Sequence, residues 1–218
     1  LEVAEAGTTI VPLTNGVEVA GLAEAAGVPP NQMTRGVAYV TAFLVEPGRV
    51  ARQGGHGRLV RGCAHTSPTR SAERIARAFS GTGIDAVVCP DIMIEEWTKM
   101  MVVCALTAAC GITRSAIGPV RASATGLSMI RSAIEEVGAV GRAMGARLAA
   151  THEAAALAVV DDFPADFYPS LIHDLRRGRR TEVDALNGAI SRLGRERGVP
   201  TPTHDSATCA IQLREAAS

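Results

Sequence analysis

An α/β portion reaching to about residue 90, followed by an all-α portion, is the fold class that three observations predict. Up to Cys89, β-rich apolar runs alternate with helical patterns and are punctuated by Asn-Gly, Pro-Gly and Gly-Gly pairs. After Pro90, alanine, methionine and helical periodicity take over, and no strand-like run follows. The 218 residues are 47% hydrophobic and 20% charged, enough for two cores. The predicted domains are therefore 1–90 and 91–218.

The elements follow in order. TTIVPL, residues 8–13, reads as a strand, Asn15-Gly16 as a tight turn, and VEVAGLAEAAG as a helix. The stretch from Thr34 to Cys63 alternates and is broken by Pro47-Gly48 and Gly54-Gly55, which predicts an antiparallel meander with GGHG, 54–57, at a hairpin tip. TRSAERIARAFSGTG is a helix stopped by Gly81 and Gly83, and IDAVVCP is another strand. Asp91 can cap a helix running to about Ala109. A long helix from about Ser123 to Met144 puts Leu127, Ile130, Ile134, Val137 and Val140 on its inner side. Residues 149–164 are alanine-rich and show no defined element. Tyr168 to Arg177 forms a short helix, Thr181 to Arg197 another, and a last one follows the proline-marked entry at VPTPTHD. The start, LEVAEAGTTIVPLTNG, has no methionine and reads as entering midway through an α/β unit, so a fragment is expected.

Composition narrows the function classes. Formal net charge is zero, so no whole-molecule field draws the chain to nucleic acid or a membrane surface. The arginines around 176–180 lack the interleaved aromatics of a nucleic-acid surface. The run from Met100 to Cys110 is too short to span a bilayer. Five scattered cysteines in apolar surroundings read as buried thiols of a reducing cytoplasm, and no ligand spacing suggests a metal. No nucleic acid, membrane or metal partner is expected.

One count singles out a residue. Of 22 basic side chains, 21 are arginine and only Lys99 is lysine. Arginine keeps its proton near neutral pH, whereas a lysine can surrender one once its surroundings lower its pKa. The bland reading is a solvated i, i+4 pair with Glu95. Against it, Lys99 shares a helical row with Val103 and Thr107 and stands beside Trp97, Met100 and Met101 on a largely apolar helix. Glu182 opens the predicted 181–197 helix, where Thr181 and Asp184 fit a capping box and Leu186, Ala189 and Leu193 continue its row inward. It is either a first-turn carboxylate favoured by the helix dipole or a functional acid. Asn15, where a strand hands over to a helix, is turn chemistry or a ligand position. Ser170 either caps the next helix or offers its hydroxyl to a ligand.

Taken together, PLTNG (12–16), GTGIDAVVCPDIMIEEWTKMMV (81–102), ITRSAIGPVR (112–121), YPSLIHDLRRGRRTEVDALNG (168–188) and RERGVPTPTHD (195–205) resemble the ketopantoate reductase (2-dehydropantoate 2-reductase) family over nearly the whole chain. The resemblance implies the C-terminal part of a Rossmann-type domain, followed by a helical domain like that of 6-phosphogluconate dehydrogenase. It implies NADPH-dependent reduction of 2-dehydropantoate, a small 2-oxo acid, in cytoplasmic pantothenate and coenzyme A biosynthesis.

Roles are implied in the same way. Lys99 falls on the catalytic lysine that protonates the substrate oxygen as hydride reaches the 2-oxo carbon. Glu182 falls on the active-site glutamate that engages the substrate hydroxyl and borders the cofactor. Ser170 matches a substrate-contacting serine, and Asn15 the asparagine where cofactor and substrate meet. Asp174 matches a recurrent aspartate with a supporting role. Two departures stand out. The substrate-contacting asparagines four and eight positions after the lysine are here Val103 and Thr107, and no G-x-G-x-x-G turn occurs in the sequence. The rivals are a reductase of another branched 2-oxo acid and a non-catalytic helical module whose 123–144 helix serves dimerisation. A homodimer is compatible with either enzyme reading.

Overall fold

The computed structural model describes residues 8–62 and 70–217. The chain divides into two compact units, Leu1–Glu96 and Trp97–Ser218.

In the first unit, helix α1 spans Val19–Ala25, strand β1 Arg35–Glu46, strand β2 Arg49–Gly62, helix α2 Arg70–Ala78 and strand β3 Ile84–Val88. β1 and β2 pair antiparallel across Pro47-Gly48, and β3 lies parallel to β2 after the α2 crossover. The sheet is thus a hairpin joined to a β-α-β unit, the connection a parallel pair requires. Val37, Val60 and Ile92 form its core, with Tyr39, Val87 and Cys89 packed against them.

Two expectations for this unit are corrected. TTIVPL is not a strand: Ile10 alone forms a parallel bridge to Met33, its N–H donating to the Gln32 carbonyl at 2.7 Å. Pro12 has no N–H to extend a ladder. The GGHG stretch is not a hairpin tip either. Pairing steps from Tyr39–Arg58 to Thr41–Gln53, so 54–57 form a bulge within β2, and the expected meander is a single hairpin. α2 and β3 fall where the sequence predicts them, with Gly81 and Gly83 both left-handed between them.

The second unit is helical. Helix α3 spans Ile92–Thr113, its first turn lying in the first unit. It is followed by α4 (Ile117–Ala122), α5 (Ala124–Ala143), α6 (Ala150–Asp162), α7 (Ser170–Arg176), α8 (Asn187–Arg197) and α9 (Pro202–Ala216). Asp91 caps α3 by accepting the Met93 N–H at 3.1 Å. From Cys104 to Cys110 every residue of α3 is buried, as for a helix apolar on all sides. On α5, Ile130, Ile134, Val137 and Val140 are buried as predicted, and Leu127 is half-buried.

Residues 149–164, left without an element by the sequence, contain α6, whose Ala156 and Val160 are buried. Alanine favours a helix without revealing its buried face, so periodicity is weak there. Cys104 and Cys110 are buried as expected and Cys89 is half-buried, but Cys209 is exposed; Cys63 lies outside the described residues. Among the described residues, no helix is long and apolar enough to cross a membrane, and no group of three His, Cys, Asp or Glu side chains could hold a metal ion.

Candidate active site

Lys99 stands on α3 within the second unit, half-buried between the buried Trp97 and the buried Met100 and Met101. Burial pushes its ammonium below the ordinary lysine value, and the carboxylate of Glu182 opposes that shift. The structure therefore brings these two side chains, 83 positions apart in sequence, into electrostatic reach of one another. Glu95, the partner of the bland reading, accepts the Tyr39 hydroxyl at 2.9 Å and lies 3.8 Å from Arg58.

The segment carrying Glu182 differs from the expectation. The predicted helix from Thr181 begins only at Asn187. Residues 182–186 make a single helix-like turn, in which the Leu186 N–H donates to the Glu182 carbonyl at 3.0 Å. Leu186, at φ −104° and ψ −100°, then breaks the helical path. There is no capping box: Thr181 Oγ1 accepts the Val183 N–H at 3.3 Å, while Asp184 accepts from Gln212 at 2.7 Å. The turn is pinned from both sides. Val183 and Leu186 are buried, and the Thr181 N–H donates to Glu215 of α9. Glu182 itself is exposed, a carboxylate at the rim of a turn anchored by its neighbours.

The arginines have separate places. The Arg176 guanidinium lies 3.7 Å from the ring centre of Tyr168, and Arg179 is 3.8 Å from Asp174, the recurrent aspartate. Arg177 and Arg180 are exposed.

The remaining expected site residues scatter. Val103 is half-buried one turn beyond Lys99, and Thr107 is fully buried, its hydroxyl without a hydrogen-bond partner. Ser170 is the exposed first residue of α7; Pro169 holds the cap position and no side-chain cap bond forms, so the capping reading is corrected. Asn15 belongs to the first unit, half-buried in the turn ahead of α1, next to Gly16 at φ 120°.

A buried polar cluster on α8 and α9 was not foreseen. Asn187 and His204 are both fully buried. Asn187 Nδ2 donates to the Cys104 carbonyl at 3.1 Å and to His204 Nδ1 at 2.9 Å, and His204 Nε2 donates to the Ala133 carbonyl at 3.0 Å. A carbonyl only accepts, so the amide must turn its NH2 to Cys104. His204 is thereby the neutral Nε2–H tautomer. Glu136 accepts the backbone N–H groups of Thr203 and His204 at 3.0 and 3.2 Å, a carboxylate at the N-terminus of α9. The sequence signal was present in DALNG and PTHD, polar residues in otherwise core-facing rows, but neighbour-in-sequence reasoning could not pair them.

An open groove of about 570 Å³ between α8 and α9 does not include Lys99 or Glu182. Its walls carry the Arg195–Asp205 ion pair and the Gln212–Asp184 bond but none of the expected site residues, so it is not the candidate site.

Comparison with known proteins identifies the family. Residues 91–215 match the family model described as ketopantoate reductase PanE/ApbA C terminal. The 2-dehydropantoate 2-reductase of Streptococcus pyogenes serotype M1 is 30% identical over 192 residues, covering 87% of this chain and 62% of that protein. That of Archaeoglobus fulgidus is 32% identical over 129 residues, covering 59% and 42%. The chain thus spans less than two thirds of the length of these relatives. Among solved structures, the PanE/ApbA family ketopantoate reductase from Ralstonia eutropha JMP134 superposes with a TM-score of 0.83 at 27% identity, over 96% of this chain and 67% of that one. D-mandelate dehydrogenase solved with NADH gives 0.89 at 26% identity, over 99% and 73%. With a partial Rossmann-type sheet followed by the matched helical domain, the chain belongs to the ketopantoate reductase family.

Proposed function

We propose that this chain holds the substrate and donates the proton in an NADPH-dependent, cytoplasmic 2-dehydropantoate 2-reductase of pantothenate and coenzyme A biosynthesis. The observation that carries the reading is the sole lysine, half-buried on an apolar helix with its charge supported by Glu182. Reducing a ketone leaves an alkoxide, and a proton-bearing cation must meet that oxygen where water is scarce. Burial makes the Lys99 ammonium a readier acid, while Glu182 keeps it charged until substrate arrives. Lys99 Nζ gives its proton to the 2-oxo oxygen as that oxygen gains charge, and recovers one from solvent after product leaves. Glu182 accepts a hydrogen bond from the substrate hydroxyl, and Ser170 and Asn15 are assigned to substrate, Asn15 also to the cofactor.

The nicotinamide cofactor, when bound, supplies hydride to the 2-oxo carbon. The described residues fit proton delivery but not the cofactor's pyrophosphate. Gly81 and Gly83 follow a helix and precede a strand, the reverse of the strand, glycine turn and helix order that cradles phosphate. No cradle is therefore assigned among them.

Val103 and Thr107 favour a second reading, reduction of a branched 2-oxo acid without the hydroxyl. Valine has no hydrogen-bonding group, and the Thr107 hydroxyl is fully buried. One set of kinetics tests both. In the intact protein, Lys99→Arg is expected to lower kcat about 100-fold or more, the scale of a lost general acid. Unchanged turnover would overturn the catalytic assignment. A wild type that prefers 2-oxoisovalerate to ketopantoate would select the second reading.

A further inference from the structure

We infer that Asn187 is a positioning residue for the Lys99–Glu182 pair, its amide tying the start of α8 to the backbone of α3, with His204 holding the amide in place. The inference rests on the proposed function, since it concerns the same pair. Asn187 lies five residues beyond Glu182, and Cys104, whose carbonyl it holds at 3.1 Å, lies five residues beyond Lys99. The bond therefore joins the two segments that carry the pair, close to both side chains in sequence and inside the core.

Packing alone does not call for it. Leu186, Ala189, Ile190 and Leu193 already bury this stretch, and an amide and an imidazole cost free energy to bury unless they are bonded. A hydrogen bond differs from an apolar contact in being directional: it fixes the rotation and register of α8 on α3, whereas leucine on alanine tolerates sliding. Both amide hydrogens are committed, one to Cys104 and one to His204 Nδ1. His204 is in turn held by the Ala133 carbonyl of α5 and by Glu136 on its own backbone N–H. Four helices thus fix the orientation of one amide, and the break at Leu186 converts that orientation into the placement of the Glu182 turn.

The sole lysine makes the test direct. In the 218-residue chain, selective side-chain labelling gives one lysine resonance, whose titration midpoint reads the field at Lys99. Glu182→Gln is the reference and is expected to lower that midpoint. Asn187→Leu, of similar volume, is expected to lower it in the same direction by roughly half a pKa unit or more, and by little further in the double variant. His204→Leu should act alike. His204→Gln, which can accept from Asn187 and donate to Ala133, should restore the wild-type value.

A loss of thermal stability with an unmoved Lys99 midpoint in Asn187→Leu, while Glu182→Gln moves it, would overturn the positioning role and leave the pair intact. An unmoved midpoint in Glu182→Gln would overturn the pair and this inference together. Should Asn187→Leu fail to fold, Asn187→Ala, which adds no charge and cannot donate to Cys104, carries the same two outcomes.

Discussion

At the scale of the residue, Lys99 shows a conflict between stability and chemistry. Its charge is taken partly out of water, and burial lowers its pKa more than Glu182 raises it. For a base whose folded pKa is depressed, the unfolded chain binds more protons between the folded pKa and the ordinary value near 10.4. Stability therefore rises as pH climbs through that window, and the cost is fully present below it. Lys99→Met is accordingly expected to raise Tm at neutral pH by a few degrees, on the order of 1 kcal/mol, and to remove the alkaline rise. Thermal melts of both proteins from pH 7 to 10.5 check this, and a lower Tm for the methionine variant at neutral pH would count against it.

At the scale of the element, the helices of the second unit approach through small residues that the apolar pattern does not distinguish from any others. Gly141 of α5 is such a point: a Cβ there would come within 2.7 Å of Leu148 Cδ1 and 2.9 Å of the Trp97 ring. Gly21 of α1 has nothing within 4 Å of its Cβ position. Gly141→Ala is therefore expected to destabilise by about 1–3 kcal/mol through overpacking. Gly21→Ala should be neutral or stabilise by about 0.5–1 kcal/mol, by restricting the unfolded chain. Chemical denaturation of the two variants separates the cases. Gly141 also bears on the site, because Trp97 lies two residues before Lys99 on the same helix.

At the scale of the whole molecule, His204 makes folding respond to pH. Burial lowers its pKa, against the opposing influences of the Ala133 carbonyl, Glu136 and Asp205. Protonating Nδ1 would also cancel the bond it accepts from Asn187. The folded pKa lies below the ordinary value near 6.5, so the stability of the neutral state is present above that value. It is lost as pH falls from about 6.5 toward the folded pKa. Tm should drop between pH 7 and 5, and His204→Gln should flatten that slope; an equal slope in both proteins would place the acid sensitivity elsewhere.

Strand β3, helices α1, α2, α3, α5, α7 and α9, the two kinds of core and the lone lysine, unlike α4 and α6, were legible in the sequence. They rest on short-range facts: periodicities of 2 and 3.6, glycine and proline at turns, and a residue count. The bulge at 54–57, the late start of α8 at Asn187 and the burial of Thr107 were not legible. Each depends on what another segment presents across space: β1 opposite β2, α3 and α9 against the Glu182 turn, and the helices around α3. The amino-acid sequence by itself determined which side chains are able to donate a proton. Tertiary structure alone decided which carboxylate acts on that lysine and which buried amide links their two segments, because charge and hydrogen bonding act over a few ångströms of space while these partners lie more than eighty residues apart along the chain.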